Sequence, residues 1–135
     1  MGSEYTFYDY IDADGGNANV INAWLNGQGK PAKGHFNHVL LNLEGSPPPG
    51  YTDTVWHRPY VHTLEKPWDG FVELRKTGSV QYRLIGYVEG RSVFLVGKGF
   101  HQGSWKTDIT PVTGRERVSR MKKDPARYRR PHDYS

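Results

Sequence analysis

Residues 71–100, "FVELRKTGSVQYRLIGYVEGRSVFLVGKGF", hold three runs rich in β-branched and aromatic residues, parted only by "TGS" and "EGR". Connections this short join antiparallel neighbours, so the stretch predicts two hairpins and a three-stranded meander. Alternation then sorts side chains by face. Phe71, Glu73 and Arg75 share one side of the first strand, with Val72, Leu74 and Lys76 on the other. Register across the second hairpin depends on its loop. A Glu89-Gly90 loop sets Lys98 opposite Gln81, whereas Gly90-Arg91, the type II′ choice with Gly first, sets Lys98 opposite Arg83. The second choice is favoured, and two cations facing each other across a ladder suit an anion bound between them.

Before the meander, "TFYDYID" predicts a strand and "NANVINAWLN" a helix capped by Asn17 or Asn19, with Val20, Ile21, Trp24 and Leu25 on its stripe. Pro31 suits a first turn, and Phe36, Val39, Leu40 and Leu43 predict a second helix closed by Gly45. "SPPPGYTDT", residues 46–54, reads as a loop, and residues 55–70 as an irregular, partly buried connection. The order β, α, α, meander gives an α+β fold: two N-terminal helices packed on one face of an antiparallel sheet, the other face left open.

At 135 residues the chain fits one domain with one modest core. It lacks cysteine, so disulfides, thiolate nucleophiles and Cys-ligated zinc are excluded and nothing points to an oxidising compartment. No apolar run is long enough to span a bilayer, and residues 1–20 do not have the pattern of a signal peptide. The expectation is a cytoplasmic protein without membrane association. Residues 115–135 hold eight Lys or Arg against three acids, while the remainder holds ten against eleven. The division is therefore a domain over 1–114 and a basic C-terminal extension over 115–135, a short helix or disordered, with the charge footprint of a nucleic-acid binder or the solubilising charge of a solvated tail.

"GFVELR", "QYR" and an apolar strand ending in "GF" before a polar loop with Lys106 resemble the RelE/HigB superfamily of ribonuclease toxins. The "VHTLEKPWDG" lead-in is similar too, and the resemblance spans residues 5–107. It implies a RelE-like fold, metal-independent cleavage of mRNA on the ribosome, no cofactor, and a cognate antitoxin as partner. Arg83 matches the family's phosphate-contacting arginine. His62 resembles a histidine that is a candidate base, and Arg75 the strand arginine of "ELR". The loop departs from the family pattern: His101 and Gln102 stand where paired lysines are expected.

RNA cleavage of this kind needs a base for the 2′-hydroxyl proton, cations for the charge gathering on phosphorus-bound oxygens, and an acid for the leaving 5′-oxygen. Catalytic candidates are accordingly Arg83, His101, Lys106 and His62. Arg75, Lys98, Gln102 and Trp105 are the candidates for holding phosphate and RNA. The acids of the meander, Glu73 and Glu89, are too far apart for a magnesium site, and the six histidines lack zinc spacing. Two other readings stand beside the nuclease: a non-catalytic protein on the same scaffold, such as a ParE-like inhibitor of a DNA-handling enzyme or an inactive phage homologue, and a small nucleic-acid-binding domain that works through its basic tail.

Overall fold

Strand β1 (Thr6–Asp12) turns through a short 3-10 segment at Ala13–Gly15 and pairs back on β2 (Ala18–Asn19). Gly16 and Asn17 take positive φ there, the conformation for which Gly and Asn are suited. The computed structural model describes residues 6–44, 61–64, 66–76, 81–102, 104–107 and 109–134. Asn19 caps α1 (Val20–Gly27), its side-chain oxygen accepting from the Asn22 N–H at 2.9 Å. Helix α2 (Lys30–Glu44) buries Ala32, Phe36 and Leu40, one face repeated every four residues. Gly45 and the proline loop at 46–54 lie outside the described residues, as do the side chains of Val39 and Leu43.

The meander forms as β4 (Phe71–Lys76), β5 (Gln81–Glu89) and β6 (Ser92–Gln102), with the lead-in supplying a further strand, β3 (Val61–Thr63), against β4. Residues 101–102 and 104–107, expected as a loop, are strand: β6 runs on to Gln102 and pairs with β7 (Ser104–Thr107). The sheet is mixed, not antiparallel, because β1 pairs in parallel with β6. β6 is long enough to take two partners along one edge, β1 against Ser92–Leu95 and β7 against Gly99–Gln102. Its hydrogen-bonding groups are thereby met along both halves.

The larger correction concerns the face expected to be open. α1 and α2 cover one side, where Phe7, Ile21, Leu25, Phe36, Leu40 and Leu84 pack together. On the other side lies α3 (Pro111–Lys123), which brings Val118 and Met121 onto Phe71, Ile85, Phe94 and Val96. The position expected as a domain boundary, 114/115, falls inside this helix. Beyond it come α4 (Pro125–Tyr128) and β8 (Arg129–Pro131), which pairs antiparallel with β1. Residues 115–134 are thus built into the fold: an α+β arrangement with helices on both faces of a mixed sheet. Among the described residues no helix is long and apolar enough to cross a membrane.

Candidate nucleic-acid interface

Backbone register decides which candidate positions meet. Glu73 pairs with His62 on β3 and with Ile85 on β5, Arg75 pairs with Arg83, Arg83 with Gly99, Gln81 with His101, and His101 with Trp105. Directly paired residues share a face. Positions 62, 75, 83, 101 and 105, drawn from five strands, therefore share one face. It is the face that α3 covers at its Phe71–Ile85–Phe94 end; positions 75, 83 and 101 lie farther along the same strands.

Arg83 does not stand open on that face as a phosphate clamp. Its side chain is 5% exposed and Nε donates to Glu73 Oε1 at 3.1 Å, with the carboxylate 2% exposed. Register supplies the reason. Arg75 and Arg83 are direct cross-strand partners, a like-charge juxtaposition, and Glu73 sits diagonally from Arg83 on the same face, within reach of a long side chain. The cationic pair expected between β5 and β6 is thus found between β4 and β5, and a buried carboxylate answers it.

Lys98 moves for a separate reason. The loop is Gly90-Arg91, as favoured, since Glu89 pairs with Ser92. Between Ile85 and Gly86 the register slips by one: Gly86 pairs with Leu95 but Ile85 with Gly97. One extra residue in a strand sends every later side chain to the opposite face. Lys98 accordingly pairs with Leu84, whose side chain packs among the α1/α2 core. The same alternation pairs Lys106 with Phe100 and Ser104 with Gln102, so positions 98, 102 and 106 share the face opposite Arg83. Gly86 marks the slip. A Cβ there would lie 3.1 Å from Val93 Cγ1 and 3.3 Å from Leu95 Cδ2, so glycine is what lets β6 come close.

The basic C-terminal residues are largely occupied by the fold itself. Arg117 donates to the Val96 carbonyl at 2.6 Å and lies over the Tyr10 ring. Arg120 donates to Tyr10 Oη at 3.2 Å, a bond that raises the guanidinium above its ordinary value. Arg129 stacks over Tyr8, its guanidinium carbon 4.3 Å from the ring centroid, and Arg127 pairs with Asp14 at 2.7 Å. Arg120, Lys122 and Lys123 occupy the last turn of α3, where cations meet the negative end of the helix dipole. A cleft of about 740 Å³ nevertheless opens beside α3, rimmed by Lys66, Arg115, Lys122 and Lys123 and floored by Tyr87 and Val118.

Sequence reasoning missed one constellation, a buried polar cluster at the C-terminus. His132 Nδ1 lies 2.8 Å and 3.0 Å from the Asp9 carboxylate oxygens and Nε2 lies 2.8 Å from Asn37 Oδ1. Asn19 adds a bond to Asp9 at 3.0 Å. The only sequence signal was Asp9 between the buried positions of a strand, where a carboxylate needs partners. No family model, no curated protein and no solved structure matches the chain.

Proposed function

We propose that the chain is a RelE/HigB-like toxin, an endoribonuclease that acts on mRNA at the ribosome and is held in check by a cognate antitoxin. The observation that carries the reading is the common face of positions 62, 75, 83, 101 and 105. The positions of two histidines, two arginines and a tryptophan lie on it, one from each of five consecutive strands. A RelE-like fold is part of the proposal, supported by the β-α-α-meander order.

In this reading His101 carries the proton transfer, as base for the 2′-hydroxyl or acid for the leaving 5′-oxygen with water as the other partner, and imidazole suits either duty near neutral pH. Position 62, three strands away, lies too far from it to serve the same phosphate. Arg75 supplies positive charge to the phosphate and Trp105 a surface for base stacking. Arg83 acts one step back: its ion pair with Glu73 fixes the strand floor beneath them, which makes it a positioning residue. Lys98, Gln102 and Lys106 leave the site. Inducing the chain in a bacterial host and mapping mRNA 5′ ends tests this. New discrete ends accompanying growth arrest are expected; arrest without new ends would favour the binding-protein reading instead.

The second reading, a nucleic-acid-binding domain without catalysis, is favoured by the basic cleft beside α3. It predicts binding of RNA with no new ends.

A further inference from the structure

We infer that the cleft between α3 and the β3–β4 connection is a second RNA-binding site, one that seats a nucleotide of the strand whose reactive bond lies farther along the sheet. The inference rests on the RNA-directed reading above but uses none of its catalytic residues. Lys66, Arg115, Lys122 and Lys123 line the cleft, and among the described lining residues Asp69 is the one carboxylate. Arg115 reaches across to the Pro67 carbonyl at 2.9 Å and Lys122 to Glu89 at 2.9 Å, which holds two of the cations in place at the rim. Lys66 and Lys123 are exposed and line the cleft, one from the connection and one from the helix.

The floor matches a base as the rim matches a phosphate. Tyr87 is half-buried, and its ring is locked edge-on against Phe71 at 5.1 Å between centroids. Gly70, at φ +88°, approaches so closely that a Cβ would come 2.7 Å from Tyr87 Cε2. Val118 and Pro67 add apolar surface. A volume of about 740 Å³ is that of a small-molecule site, and a fixed aromatic floor under a cationic rim suits stacking with phosphate contact. The smaller cleft beyond Ser119, about 340 Å³, balances Glu116 and Asp124 with Arg120 and Lys123, whereas the larger sets four cations against Asp69 alone, so the larger is the one that draws an anionic strand. Tyr87 on its floor and position 83 lie on the same strand and face, about 13 Å apart at the rise of a β-strand.

The test is binding of a fluorescent single-stranded RNA by the full chain across a salt series, wild type against Lys66→Gln/Lys123→Gln. Loss of two phosphate contacts lowers the slope of log affinity against log salt by about 1.4 and weakens binding roughly 20-fold at 0.1 M salt. Unchanged affinity and slope would overturn the inference, as would wild-type protein that binds no RNA. Polyglutamate or polyphosphate displacing RNA equally well at matched charge would overturn the nucleotide assignment. Mapping of mRNA 5′ ends separates the two claims. Salt-dependent binding through Lys66 and Lys123 without new ends removes the nuclease and leaves this site, whereas new ends with an indifferent double variant do the reverse.

Discussion

Glu73 and Arg83 are the residues at which charge and burial collide. Two ions that water no longer reaches are held by each other's field, and removing one leaves a costly remnant. Arg83→Met should therefore destabilise the fold by about 3–5 kcal/mol in chemical denaturation, with Glu73→Gln/Arg83→Met recovering much of the loss. An open phosphate clamp would behave otherwise: its removal would leave stability within about 0.5 kcal/mol. That Glu73 and Arg75 share a face was legible in the strand alternation. What alternation cannot show is burial, which is set by the assembled fold and not by the period of one strand.

At the scale of elements, the meander was readable because apolar alternation and short turns specify hairpins locally. The slip at Gly86 was not. A glycine inside a strand signals a bulge only in general, and one residue of slip was enough to exchange Lys98 for Gly99 opposite Arg83. β7 carried no strand signal of its own because Ser104–Thr107 is only four residues long with one apolar member, Trp105, and it gains strand geometry by pairing with β6, a tertiary effect. α4 offers a measurable element-level contact. Tyr128 donates to Asp14 at 3.0 Å, and this bond, then burial, raises the phenol above its ordinary 10.0. A phenol raised in the folded state contributes stability that is complete below about pH 10 and fades as pH climbs through the folded value. The stability gap between wild type and Tyr128→Phe should consequently be present at pH 8 and shrink above pH 10; a gap constant across that range would refute the contact.

For the whole molecule, the C-terminus closes the fold. β8 pairs with β1 and the His132 N–H donates to the Phe7 carbonyl at 2.9 Å, so the last residues seal the first strand. Composition made residues 115–135 look like an extension because its basic residues dominate; that most of them stack on tyrosines, cap a helix end or pair with acids follows only from the assembled sheet. His132→Ala strips Asp9 of its imidazole and Asn37 of its partner, and should cost about 3 kcal/mol and lower the melting temperature. A melting temperature within a degree of wild type would show the terminus to be dispensable.

The most direct measurement is the cleavage rate of a defined mRNA on programmed ribosomes by wild type, His101→Gln and Lys98→Gln, each first shown to melt like wild type. Loss of a general acid or base predicts a fall of about 10²–10⁴-fold for His101→Gln, with Lys98→Gln, on the opposite face, within twofold of wild type. If His101→Gln cleaves at the wild-type rate, or Lys98→Gln is the one that fails, the shared face of positions 62, 75 and 101 is not where the RNA reacts.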